Sequence, residues 1–203
     1  QAIINRRLEA KARAGGSFLV AQVSKDKVVR SADATYVSIT PLGADWKAAL
    51  RDTRGVIADA MAKPPTQEEI DREVQEFSVA FESGVEQRRL LPGGKLADDM
   101  VAALDIRETI ASPEVVQDIF NRTRPLFTPA NVLAKTRAIF AGNVTRAVYV
   151  TPQAGEGTPA ALRTALAIHL PALRISSLYV ARYAGNPGPE DLSDLVLAYD
   201  DEN

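Results

Sequence analysis

The chain has no cysteine and a single histidine, His169, and each shortage removes a class of chemistry. Without thiols there are no disulfides, no thiolate metal sites and no cysteine nucleophiles. A zinc hydrolase needs about three nitrogen, oxygen or sulfur ligands plus an open position, and its histidines cannot come from this chain. Neither H-x-x-E-H nor H-E-x-x-H occurs, and no G-x-S-x-G surrounds a serine. His169, in AIHLPAL, reads as a helix-surface or linker histidine. No apolar run approaches the roughly 20 residues that cross a bilayer. Charge of one sign is also missing: 24 basic and 26 acidic residues are interspersed for a net charge of −2. That balance leaves no electrostatic footprint for nucleic acid or for an anionic membrane surface.

What is present is an ordinary globular composition, 46% hydrophobic and 25% charged over 203 residues. This is enough chain for one domain, or for one domain and a linker. The opening QAIINRRLEAKAR lacks the apolar segment of a signal peptide and has the spacing of mid-helix. It reads as a chain cut from something longer. Ile3, Ile4, Leu8 and Ala12 recur at helical spacing, and Gly15-Gly16 stops the helix. SFLVAQV and ATYVSIT read as two strands packed side by side, with SKDK as the turn-like stretch between them.

From Asp45 the period is helical for about a hundred residues. Trp46, Leu50, Thr53, Ile57 and Met61 share one face, and Thr66-Gln67-Glu68-Glu69 forms a capping box. Ile70, Val74, Phe77, Phe81 and Val85 make the next inward stripe, which Pro92-Gly93-Gly94 ends. Leu96, Met100 and Leu104 are expected inward on a shorter helix. Ser112-Pro113 and Thr128-Pro129 open two more helices, each with a hydroxyl cap and proline at the first helical position. Gly142 closes the last helix, and RAVYVTP is a further strand. The order predicts an α+β fold, a small mixed or antiparallel sheet covered on one face by several helices. Residues 1–152 form its body, and 153–203 read as an interdomain linker or tail containing a possible short helix, ALRTALAIHL.

Several patterns that could carry chemistry read as structure. Ser24-Lys25-Asp26-Lys27 matches S-x-x-K, but S-D-N and K-T-G are missing and it falls in a strand–turn segment. Pro92-Gly93-Gly94-Lys95 lacks the spacing of a phosphate loop. The acidic run Glu68, Glu69, Asp71, Glu73 and Glu76 reads as a solvated face, with Arg72 placed to pair with Glu68. Asn121-Arg122-Thr123, a glycosylation triplet, lies inside a predicted helix.

The order of the signals is the informative part. INRRLEAKAR precedes a glycine pair and SFLVAQV; a second strand and two long helices separated by PPTQEEIDRE follow; FTPANVLAKTRAIF then leads to AVYVTP. Over about residues 1–152 this succession resembles the non-catalytic domain of the pitrilysin/insulinase family of zinc peptidases, which includes the mitochondrial processing peptidases. The resemblance implies a partial, catalytically silent domain that helps to enclose and bind peptide. This chain would hold no cofactor, and zinc would sit in the catalytic domain of the parent protein, on the same or a partner polypeptide. It implies no catalytic or metal-binding residue here and favours a bacterial periplasm or cell envelope over the cytoplasm. By the same resemblance, Arg13 and Phe18 stand near an arginine and a tyrosine that contact substrate in some members. Phe18 lacks the hydroxyl and its spacing is shorter, while Arg13 also suits the negative end of a helix dipole. A structural or assembly protein descended from such peptidases, or an unrelated α+β binding module, are the alternatives.

Overall fold

A computed structural model describes residues 1–28, 31–142, 144, 146–151, 157–167 and 177–182. The first helix, α1 (Ala2–Arg13), ends where glycine lets the chain reverse. Gly15 has φ +83°, and its amide and that of Gly16 donate to the carbonyls of Ala12 and Lys11 at 3.1 and 2.9 Å. These two bonds are the paired closure of a Schellman motif. A Cβ at Gly16 would lie 2.8 Å from the Lys11 carbonyl oxygen, so the second glycine is required for close approach.

The hairpin of β1 (Phe18–Val28) and β2 (Ala32–Pro41) is antiparallel, with Val23 opposite Val37 and Ala21 opposite Ile39. A register irregularity between Phe18 and Val20 explains why Phe18 and Ala21, three apart, both face the core. Gln22, Tyr36, Ser38 and Thr40 are exposed on the other face, so one face of this sheet is covered, as expected. The SKDK stretch is not the turn. It is strand, with Lys25 opposite Thr35 and Asp26 opposite Ala34. Cross-strand pairing overrides its polar composition, and Lys27 reaches Glu108 at 3.0 Å.

Five helices follow, in the expected order. They are α2 (Trp46–Ala62), α3 (Gln67–Gln87), α4 (Gly93–Asp105), α5 (Pro113–Thr123) and α6 (Pro129–Ile139). The capping box at Thr66 and Glu69 is formed, and Ser112 and Thr128 each accept a backbone hydrogen bond at the start of their helices. One main core joins Ile4 and Leu8 of α1, Phe18, Ala21 and Val23 of β1, Ala49, Ile57 and Ala60 of α2, and Phe140. Each fully buried large side chain there contributes roughly 1.5–3 kcal/mol. The α2 stripe is as predicted, with Trp46, Thr53 and Ile57 buried.

Other expectations need correcting. Phe77 does not point into the core; it is 46% exposed, and Phe81 is half-buried. The buried residues of α3 are Ile70, Glu73 and Ser78, because α1 approaches over Glu73. Phe77 and Phe81 instead join Phe120 in an aromatic cluster, with the Phe81 and Phe120 ring centroids 4.9 Å apart. Leu96, Met100 and Leu104 are all exposed, and α4 buries no residue. Pro92-Gly93-Gly94 does not end α3, which gives way to a short 3-10 turn at Arg88–Leu90; Pro92 caps α4, and its helix begins at Gly93.

The final strand is also placed differently. RAVYVT forms β3 (Arg146–Thr151), which pairs not with the hairpin but in parallel with β4 (Ser177–Arg182). Between them runs α7 (Pro159–Ala167). Thus α7 and β4 lie within the stretch read as linker or tail. A second core forms where Leu162 of α7 is buried against Trp46, together with Leu50, Ala147 and Tyr149. The Trp46 and Tyr149 rings lie 4.9 Å apart. Helix α2 is therefore shared by two cores, and this second one draws β3 away from the hairpin.

Candidate functional site

The polar groups worth considering cluster around α1 and the junction that follows it. Arg13, the last residue of α1, is exposed and pairs with Glu9 one turn back. Phe18 is only 2% exposed, packed into the main core. The two residues singled out from the sequence are therefore unlike: Arg13 offers a cation to solvent, whereas Phe18 offers no surface to a ligand in this state. At the junction, the Ser17 hydroxyl donates to Asp52 of α2 at 2.7 Å. That hydrogen bond, the largest influence on it, holds the Asp52 carboxyl below its ordinary pKa. A serine bonded to a stabilised carboxylate has no base to activate it, so the pair anchors the strand.

Nearer the start of α1, two arginines meet the acidic run of α3. Arg6 Nε lies 2.5 Å from Glu73 Oε1, and its Nη2 lies 2.6 Å from Glu76. Arg7 Nε and Nη2 donate to the two carboxylate oxygens of Glu69 at 2.8 and 2.9 Å. These bonds raise the pKa of both arginines. The hydrogen bond from Arg7, ahead of every other influence, lowers the Glu69 carboxyl to about 2. The acidic run is thus only partly the solvated face expected of it. Glu68 pairs with Arg72 at 3.3 Å as predicted, but Glu73 is buried and, with Glu69, clamps α3 to α1.

A third feature was not visible in the sequence. The Asn5 side chain accepts from the Val23 amide at 2.8 Å and donates to the Val23 carbonyl at 3.0 Å. A side-chain amide thereby occupies the outer edge of β1 as a neighbouring strand would. The one available signal is a polar residue beside Ile4 on a helix that otherwise buries aliphatic side chains. Its partner strand, 18 residues away, is known only from the fold. Among the described residues, no group of three or more His, Cys, Asp or Glu side chains is arranged to hold a metal ion. His169 lies outside the described residues. No described helix is long and apolar enough to cross a membrane.

The geometry is that of an α+β body whose α1 and α3 are clamped by ion pairs, and its fold is peptidase-like. The first half of the periplasmic protease PqqL from Escherichia coli matches it with a TM-score of 0.62 over 68% of this chain, at 14% identity. The structure of PqqL itself matches with a TM-score of 0.61 over the same 68%, also at 14% identity. The match takes in 30% of the first of those chains and 16% of the second, so this chain spans a minor part of either. At such identity the likeness is one of fold. No protein-family model and no curated protein sequence matches the chain.

Proposed function

We propose that this chain is an accessory, non-catalytic domain of a zinc-dependent metallopeptidase, and that it helps to enclose and bind peptide substrate. The observation that carries this reading is the fold it shares with part of a periplasmic protease. That likeness is joined to a sequence with one histidine, no cysteine and no H-x-x-E-H segment. The catalytic zinc then belongs to another domain of the parent protein or of a partner polypeptide, bound there through H-x-x-E-H and a downstream glutamate. The periplasm or cell envelope of a bacterium is the compartment that fits the neighbour. Arg13 is the residue of this chain assigned to peptide contact, because it is cationic, exposed and next to the helix–strand junction.

The test is elemental analysis and a peptide-cleavage assay on the 203-residue chain and on the complete parent protein. The chain alone is expected to carry no stoichiometric zinc and to cleave nothing. The parent protein is expected to carry one zinc outside this chain and to lose activity on chelation. One tightly held zinc on this chain would overturn the assignment, as would a parent and neighbours lacking any H-x-x-E-H segment.

A further inference from the structure

The tripeptide Arg-Arg-Leu occurs twice in this chain, at residues 6–8 and at 88–90, and the fold treats the two copies oppositely. The first lies within α1, where Leu8 is 0% exposed and both guanidinium groups are held by carboxylates of α3. The second forms the 3-10 turn between α3 and α4, and Leu90 is 80% exposed. Arg88 pairs with Glu114 of α5, whereas Arg89 has no ion pair or side-chain hydrogen bond among the described residues. Every residue from Glu86 to Ala102 is exposed. Past the turn, Leu91 and Pro92 are already extended, with ψ of 127° and 136°. Helix α4 then starts on Gly93-Gly94, with no side-chain cap and no buried residue to hold it. Glycine is a weak helix former, so the chain on the far side of Arg89 opens at little cost.

We propose that the Arg89–Leu90 bond is a processing site for an arginine-specific endopeptidase, and that cleavage leaves a two-chain form with the same fold. The step is a hydrolysis. Water adds across the peptide bond, leaving a carboxylate on Arg89 and an amine on Leu90. Arg89 presents a solvated guanidinium that pairs with the carboxylate in the specificity pocket of such an enzyme. Exposed connectors are where nicking concentrates, since an endopeptidase must draw several residues into an extended form. The products stay together because both cores cross the cut. Phe140 shares the main core with Ile4 and Leu8, and Leu162 packs against Trp46. Phe81 and Phe120 join the helices on either side. In this role the chain is a substrate, whatever its parent protein does.

The test is limited digestion by trypsin of the folded 203-residue chain and of the complete parent protein, followed by intact-mass spectrometry. Fragments 1–89 and 90–203 are expected ahead of any cut after Arg7, Arg72 or Arg122, which are ion-paired within helices. The two fragments are expected to co-elute in size-exclusion chromatography. Arg89→Gln is expected to slow cleavage of this bond by about a hundredfold or more, because the pocket's acid loses its partner. Arg89→Lys is expected to keep the bond cleavable. Neither substitution should move the urea midpoint, which separates recognition from any effect on folding. Cleavage after Arg89 no earlier than after Arg7, Arg72 or Arg122 would overturn the proposal. So would an Arg89→Gln chain cut at this bond as fast as wild type, fragments that separate, or a parent protein that is cut elsewhere but resists here.

Discussion

Arg7 grips both oxygens of Glu69, and the same carboxylate accepts the Thr66 amide at 2.9 Å to complete the cap of α3. One side chain therefore joins two functions, starting a helix and fixing it to another 62 residues away in sequence. Because the contact is formed only in the folded chain, it links stability to pH.

The sign follows from the Glu69 carboxyl, which falls from 4.5 to about 2 on folding. A depressed folded pKa gives stability that is complete above the unfolded value and is lost as pH falls through the folded one. Glu69→Gln should therefore lower the urea midpoint most above pH 4.5, and the gap from wild type should close between pH 4.5 and about 2. A gap that stays constant across this window would show that the clamp is not titrating.

Asn5→Ala leaves the Val23 amide and carbonyl without their partner at a site covered by α1. An orphaned buried pair of this kind costs about 1–3 kcal/mol. Thermal or urea unfolding should show the loss, and Val23 amide exchange should accelerate. Unchanged exchange at Val23 would mean that α1 does not protect this edge in solution.

The aromatic residues divide by burial. Phe18→Ala should cost about 3–5 kcal/mol, as for a buried ring in a packed core. Phe77→Ala should cost only about 1 kcal/mol, the scale of an aromatic pair on a surface cluster. Leu104→Ala, on a residue 62% exposed, should stay within about 0.5 kcal/mol. Equal losses at Phe18 and Phe77 in urea denaturation would contradict this order.

Trp46 is the chain's only tryptophan and reports on the second core. Leu162→Ala should destabilise by about 2–5 kcal/mol if the cavity does not collapse. Its fluorescence emission should shift to longer wavelength as α7 loosens. An unshifted spectrum would place Leu162 away from the indole ring.

Local physics made much of the fold legible. The capping box at Thr66, the hydroxyl–proline starts at Ser112 and Thr128, and the glycine pair after Arg13 are decided within a few residues. Each satisfies groups at a helix end whatever the rest of the chain does. The sequence of elements from α1 to β3 and the inward stripe from Trp46 to Met61 were readable for the same reason. The candidate site was less so. Arg13 could be placed at an exposed helix end, but the position of Phe18 said nothing of its burial.

The sequence by itself excluded a cysteine site and an H-x-x-E-H segment, and determined the helix starts at Thr66, Ser112 and Thr128. Only the tertiary structure decided which apolar stripes are covered, that β3 pairs with β4 rather than the hairpin, and that Asn5 guards one edge of the sheet. The reason is physical. Caps and periodicity depend on neighbours along the chain, whereas burial and strand partnership depend on which distant surface arrives, and Phe77 and Leu104 have the periodicity of core residues without such a surface.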